Sequence, residues 1–329
     1  MMKRLLIFTL TGVIFAGCDY KDLCYDHDHS KDENLQLELD LQLDLNLQLE
    51  TDLELDVEMQ TKIEEPELMC VNFYSPTSGD LASRDFVKAH GGPLSTPPGV
   101  YDMVAYSFGT EYIQIRGENS INTIEAFTSD ITRTRYSSLR SFTRASSDAD
   151  DPEIPIIYAP DHLLVARQQV TIPQWYGTNR VIKLYATAST IVETYTLEVH
   201  TVIGAQYIES CEAYVTNQAI SSFFGRGEVN TESATICFPV GVDKKKGCLY
   251  TTFNTFGKLP GVSHGYLRIR DVTGKEYRIS ADITDQFEKA DHHILIEEKV
   301  DIPTPTGEGG GIAPSVEQWD EEEYDVGIG

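Results

Sequence analysis

The sequence predicts an all-β chain built as two tandem β-sandwich domains, and three observations carry that prediction. Short runs rich in valine, isoleucine, tyrosine and threonine follow one another from Glu67 to Pro303. Turn material such as "SPTSGD", "GGPLSTPPG" and "RGENS" separates them. No long stretch repeats apolar residues at the i, i+3, i+4, i+7 spacing of an amphipathic helix; "LASRDFVKAH" alone offers one helical turn or two. The chain is 329 residues long, which leaves room for about two domains.

The first element is not part of the fold. "MMKRLLIFTLTGVIFAGC" has a basic tip, Lys3 and Arg4, then an apolar run from Leu5 to Ala16, then Gly17 and Cys18. This is the pattern of a secretory signal peptide over residues 1–17, shorter than the roughly 20 apolar residues that span a bilayer. Its end, "FAGC", resembles a bacterial lipobox, with Phe15 where leucine is usual. That resemblance implies cleavage between Gly17 and Cys18 and acylation of Cys18, with palmitate-type chains as the membrane anchor. The plainer alternative is an ordinary secretory signal followed by a chance cysteine.

Residues 18–33, "CDYKDLCYDHDHSKDE", read as a polar tether. Asp26, His27, Asp28 and His29 are metal-ligand types. They sit at i, i+2 spacing on a flexible stretch with no second pair downstream, so a solvated tether is the simpler reading and no metal is expected. Without Lys3 and Arg4 the chain keeps 24 basic residues against 52 acidic ones. So acidic a protein is a poor partner for nucleic acid or anionic lipid surfaces.

The first domain is expected over residues 34–165. It opens on "LQLELDLQLDLNLQLETDLELDVEMQ", in which leucine fills every odd position from Leu35 to Leu49 and a polar residue fills every even one. Strict period two is a strand signal, with leucine on one pleated face and acid or amide on the other. A strand of that length would reach roughly 80 Å at about 3.3 Å per residue, far beyond the usual 3–10 residues. One piece is therefore expected to be strand one of the first sandwich, with the rest an extension. The alternative makes the leucines a partner strand for another chain, with Leu35, Leu37, Leu39 and Leu41 as its contact residues.

The second domain is expected over residues 166–302. Two of its strands alternate cleanly: Tyr195, Leu197 and Val199 share one face, and Tyr277, Ile279, Ala281 and Ile283 share another. Residues 303–329 follow as a Pro/Gly hinge, "PTPTGEGGG", a short strand-like run, "IAPSVEQW", and an acidic end, "DEEEYD". That run, with Trp319, either completes a neighbour's sheet or folds back as an edge strand of its own second domain. Besides Cys18 there are five cysteines, Cys24, Cys70, Cys211, Cys237 and Cys248. Their spacing fits neither a CxxC metal site nor a disulfide scaffold. Cys237 and Cys248 could meet across a hairpin, but buried free thiols are the simpler reading.

The quoted tether, "PPGVYDMVAYSFGTEYIQIRG", "EAFT", "APDHLLVA", "YTLEVHTVIGAQYI", "TTFNTFGKLPG", "YRISADITDQF" and "IPTPTGEGGGIAPSVEQW", in that order, resemble a Bacteroidales lipoprotein family. Its members are similar to fimbrillin-A-associated anchor proteins. The resemblance spans essentially the whole mature chain. It implies tandem transthyretin-like (Greek-key) β-sandwiches, a lipidated N-terminus at the outer membrane facing the cell surface, and a fimbrial anchor or accessory role in adhesion. Fimbrial shaft or other pilus subunits are the implied partners. The leucine repeat departs from the family, which carries a shorter, mixed apolar first strand there.

No catalytic residue is singled out. The chain has no HExxH, and "GEGGG" lacks the flanking strand and helix that a phosphate cradle needs. Ser263 and His264 are neighbours in sequence, which is not triad geometry. Trp175, Tyr176 and Tyr158 could stack on a sugar, though aromatics of this kind more often pack a core or an interface. Three classes are weighed: a lipid-anchored fimbrial subunit without enzymatic activity or cofactor, a surface lipoprotein that binds glycans or peptides, and a hydrolase.

Overall fold

The computed structural model describes residues 35–47, 49, 62–131, 154–174, 180–289 and 291–305. In chain order the first strands are β1 (Leu35–Leu43), β2 (Leu68–Tyr74), β3 (Leu81–Lys88), β4 (Gly91–Leu94), β5 (Gly99–Phe108), β6 (Gln114–Arg116), β7 (Glu125–Phe127) and β8 (Ile156–Tyr158). Next come β9 (Leu164–Ile172), β10 (Arg180–Thr190), β11 (Glu193–Val199), β12 (Val202–Ile203), β13 (Ile208–Ala219), β14 (Ser221–Phe223) and β15 (Glu228–Val229). The last are β16 (Ser233–Pro239), β17 (Gly241–Asp243), β18 (Cys248–Thr255), β19 (His264–Asp271), β20 (Glu276–Asp282), β21 (His293–Leu295) and β22 (Val300–Asp301). The only helical pieces among the described residues are two 3-10 turns, Ala205–Tyr207 and Thr284–Glu288. The protein is all-β, as its alternating runs imply.

The first unit is a closed barrel in the order β1-β10-β9-β5-β2-β3-β4. β1 runs parallel to β10 from Leu35↔Arg180 to Leu43↔Ala188, and antiparallel to β4 from Leu37↔Leu94 to Asp40↔Gly91. Its even-numbered side chains reach solvent, while Leu37, Leu39 and Leu41 are almost fully buried. They pack with Met69, Val71 and Phe73 of β2 and Met103 of β5. Because the side-chain period is two, a slip of one residue would turn every leucine outward, so burial fixes which face of the strand points inward. Leu43, Leu45 and Leu47 lie half-buried against the same cluster. The chain returns there through an Asn46↔Lys62 bridge and an Ile63 N–H bond to Leu45 O at 2.8 Å. The repeat thus supplies strand one, as expected; its part from Leu53 to Met59 lies outside the described residues.

Gly91 makes the β1–β4 contact possible. Its φ is +102°, and a Cβ there would stand 2.0 Å from Leu39 O. Any side chain at this position meets both a left-handed backbone penalty and a clash with β1.

In the second unit the five-stranded sheet β20-β19-β13-β16-β8 and the four-stranded sheet β17-β18-β11-β21 share one core. Tyr195, Leu197 and Val199 of β11 meet Ala213, Val215, Ile236 and Leu267 there. Phe238 and Phe253 stack at 4.4 Å between ring centres. Tyr277, Ile279 and Ala281 pack against this core from β20, and Ile283 is wholly buried in it, on the face their alternation assigns. A further sheet, β15-β14-β7-β6, takes strands from both halves of the sequence and lies against the outside of the barrel.

Two expectations need correction. The sheets do not divide at residue 165. β9 and β10 belong to the barrel, because β9 completes a ladder with β5 from Gly99↔Ile172 to Tyr106↔Val165. β8, in contrast, crosses ahead of them to pair with β16. "LASRDFVKAH" holds no helix: residues 81–88 are β3, held by the ladder to β2. The four described cysteines, Cys70, Cys211, Cys237 and Cys248, are buried thiols, as the simpler reading has it; Cys237 and Cys248 sit in different sheets rather than across one hairpin.

Replacing Leu39 by alanine should cost about 2–5 kcal/mol of unfolding free energy, as expected for a large-to-small change in a packed core. Gln42→Ala, on the opposite face of the same strand, should stay within about 0.5 kcal/mol. Urea denaturation of the two variants checks both values, and equal losses would mean that β1 is not seated as described.

Candidate functional site: the N-terminal strand, the joint between units and the open edges

Most residues singled out in the sequence lie outside the described residues: Gly17, Cys18, Asp26, His27, Asp28, His29, Trp175, Tyr176 and Trp319. Of the leucines considered as a partner strand, Leu37, Leu39 and Leu41 point into the chain's own barrel, and Leu35 is the first residue of the same strand. β1 has a neighbour on each side, β4 and β10, so it offers no open edge. Its apolar face found its cover within the chain, which is the physical reason the ladder is not free for another.

The joint between the two units holds a partly buried polar network. On the outer face of the barrel, Asn72 receives the Arg84 Nε–H at 2.8 Å and donates to the Tyr74 hydroxyl at 2.8 Å. Tyr74 donates to Glu118 O at 3.1 Å, and Arg84 reaches the Glu118 carboxylate at 3.1 Å. Tyr106 donates to the same carboxylate. Burial pushes the Tyr74 hydroxyl up to about 12 and raises the Cys70 thiol, so neither ionises near neutrality. Across the joint Tyr106 meets Phe224 edge-on at 5.3 Å, and Arg167 donates to Phe224 O at 3.3 Å. These groups satisfy one another and leave no reactive geometry.

A second polar cluster escaped sequence reading. Both His200 Nε2 and His293 Nε2 lie 3.0 Å from Glu198 Oε2, and the Glu198 side chain is almost fully buried. Glu198 and His200 share a face of β11 and its continuation, an i, i+2 relation visible in the sequence. His293 reaches them only because β21 runs parallel to β11 with Thr196↔His293 in register. His292 turns the other way: with φ at 52° it stacks on Tyr195 at 4.7 Å and donates from Nδ1 to Thr194 O. The cluster fastens β21 to the second unit. Among the described residues no group of three or more His, Cys, Asp or Glu is arranged to hold a metal ion.

Ser263 is buried and His264 is not its partner; His264 N–H bonds to Thr216 Oγ1 at 2.9 Å instead. Tyr158 stands 5.2 Å from Tyr112, ring to ring, at the surface. An open depression of about 600 Å³ beside β1 is lined by Glu38, Asp40, Glu65, Glu67, Lys88 and His90, charges of both signs in solvent. Leu68, Phe86 and Phe108 form an exposed apolar patch on the barrel, the two rings meeting edge-on at 5.9 Å.

Two carboxylates couple the fold to acid. Burial tends to raise the Glu125 carboxyl, but hydrogen bonds from Arg116, Ser221 and Asn230 outweigh it and hold the group below its ordinary value of 4.5. Asp271 is likewise held below 3.8: burial opposes, while bonds from the Thr273 side chain and backbone, Tyr277 and Lys275 prevail. A depressed carboxylate contributes stability that is present above its unfolded pKa and lost as pH falls through the folded one. Stability should therefore decline below about pH 4.5. Glu125→Gln should be less stable than the parent at pH 7 and show a shallower decline. Urea midpoints from pH 7 to pH 3 test this; an unchanged slope would remove Glu125 from the account.

Against known proteins, the chain is 27% identical over 191 residues to a Bacteroides ovatus protein named "Putative fimbrium anchoring subunit Fim4B", covering 57% of this chain. It spans about half (52%) of that protein's length. A solved structure of a "putative adhesin" from Bacteroides ovatus superposes with a TM-score of 0.54 at 20% identity, over 86% of this chain and 97% of that one. The fimbrial anchor protein Mfa2 from Porphyromonas gingivalis gives 0.43 at 13% identity, over 76% and 83%. The adhesin establishes a shared all-β fold. Residues 17–239 match the model of a family described as a domain of unknown function, DUF5119, and with two thirds of its length so matched the chain belongs to that family.

Proposed function

We propose that the protein is a lipid-anchored, non-enzymatic subunit of a fimbrium, seated at the base of the fibre or accessory to it. The observation that carries this reading is the match to a fimbrium anchoring subunit over more than half of the chain. The N-terminal sequence agrees with it. Acylated Cys18 would be the membrane anchor at the outer membrane, and the acidic tether to Glu33 would let the fold stand off the surface. Cell adhesion and association with fimbrial shaft subunits follow, and no nucleic acid or cofactor enters.

The fold fits tandem transthyretin-like sandwiches. Two seams of the barrel are short: β9 meets β10 only at Val165↔Ser189 and Leu164↔Thr190, and β3 meets β4 only at Lys88↔Gly91. Cut there, the ring is a three-stranded sheet β10-β1-β4 facing a four-stranded sheet β9-β5-β2-β3. Sandwiches of this kind join along a fibre by adding strands at open edges, where unpaired N–H and C=O groups are available.

Two measurements test the proposal. Cys18→Ala should move the protein from the membrane fraction to the soluble one or leave its precursor uncleaved; normal processing with full membrane retention would refute the anchor. A pull-down from detergent-solubilised envelope should recover fimbrial shaft subunits. If it does not, and deleting the gene leaves fibres and adhesion unchanged, a glycan- or peptide-binding surface lipoprotein becomes the better account.

A further inference from the structure

The outer face of the barrel is covered unevenly. Tyr74 and Tyr106 lie under the layer that β6, β7 and β14 help to build, and both are buried. The other end of β2 has no such cover among the described residues. Leu68, Phe86 and Phe108 are 42%, 56% and 57% exposed. They form one patch: Leu68 pairs with Phe108 across the β2–β5 ladder, and the Phe86 and Phe108 rings meet edge-on at 5.9 Å. Large apolar side chains gathered on a surface in this way mark a place where another molecule seats.

The patch runs into a depression of the opposite character. Leu68 pairs on its other side with Lys88, which shares the outer face of β3 with Phe86 and lines the open depression beside β1. Glu38, Asp40, Glu65 and Glu67 line it too, against Lys88 and His90. His90 already stands 3.1 Å from Glu65, and Glu38 reaches Lys183 at 3.6 Å. Asp40 and Glu67 have no ion pair among the described residues. Apolar anchors therefore sit beside an excess of carboxylate. From β5 across β2, β3 and β4 to β1 is four strand spacings, about 19 Å. About six residues of extended chain reach that far, at about 3.3 Å each.

We infer that this surface docks a short extended segment of a partner protein in which aromatic or leucine side chains stand next to lysine or arginine. The apolar residues of the segment rest on Leu68, Phe86 and Phe108, and its cations enter the depression toward Asp40 and Glu67. Charge selects this occupant. A second copy of so acidic a chain, with 52 acidic residues against 26 basic ones, would bring like charge to like charge. Anionic lipid is repelled for the same reason. Burial of the rings supplies affinity, while the carboxylates supply speed of encounter and choice of partner. The inference stands apart from the fimbrial reading, since it names the chemistry of a partner and not its place in a fibre.

Fluorescence anisotropy tests it on the full chain in non-ionic detergent micelles. The probe is a labelled hexapeptide, phenylalanine-leucine-phenylalanine followed by three lysines. Phe86→Ser with Phe108→Ser should weaken its binding at least tenfold, and Asp40→Asn with Glu67→Gln at least fivefold. All four side chains reach solvent, so both variants should keep the urea midpoint of the parent. A peptide with glutamates in place of the lysines should bind the parent at least tenfold more weakly. The micelles are the same throughout, so peptide held by detergent alone cancels between parent and variants. Equal binding by the parent and both variants, or equal binding of the two peptides, would overturn the inference. So would a parent dimer in sedimentation that Phe86→Ser dissociates, which would assign the patch to a second copy.

Discussion

The first unit depends on one strand filling one gap. Without β1, β4 touches the barrel through a single residue pair and β10 through two. With it, both are held by continuous ladders, and three leucines close the core. Burying each leucine side chain is worth roughly 1.5–3 kcal/mol. The contact is also a distant one in sequence, since β1 and β10 come from opposite ends of the barrel's span. Closing so long a loop before any reward makes ring closure a late event in folding. The regular leucine pattern lowers the risk of that step: acid and amide at every second position leave one face with no rival for the interior.

The second constraint is the joint. The outer face of the barrel is buried under β6, β7 and β14 and the loops around them, so the two units are not beads on a linker. Aliphatic side chains with Tyr74, Tyr106, Phe224 and Phe256 fill this layer, while Asn72, Arg84 and Glu118 supply direction. A buried polar network whose members satisfy one another admits few alternative alignments, because any rotation strands a charge or an amide. Glu125 does the same for the bridging sheet. Its β7 carboxylate receives Ser221 from β14 and Arg116 from β6, tying β14 to two neighbouring strands that precede it by 96 residues at the Ser221–Glu125 bond.

What could be read in advance follows from this physics. The all-β class, strand one in the repeat, and the inward faces of β11 and β20 were all legible, because each is a local alternation. β9 and β13 were harder. In "VARQQVTI" the polar Gln168 interrupts the inward row of Ala166, Val170 and Ile172, and "IESCEAYVTNQA" carries a bulge between Val215 and Gln218 that breaks its period. The crossing of β8, β9 and β10 between units leaves no local mark at all, since which sheet a strand joins is decided by its partner. The same holds for the contact of Glu198 with His293, which lies on a strand remote in sequence, whereas His200 stands only two residues on. "LASRDFVKAH" misled because its apolar residues fit two periods, and only the ladder to β2 chooses between them.

The arrangement of β1 also decides how the molecule answers tension. A pull on the chain ahead of Leu35 enters the fold along the axis of β1, flanked by a parallel neighbour on one side and an antiparallel one on the other. The bonds to both neighbours lie across that axis, so the load is shared by the whole ladder rather than taken one bond at a time as in peeling. Rupture then requires the leucine face to slide out of the core in the same step. Resistance of this sort is a matter of unfolding rate and not of equilibrium stability.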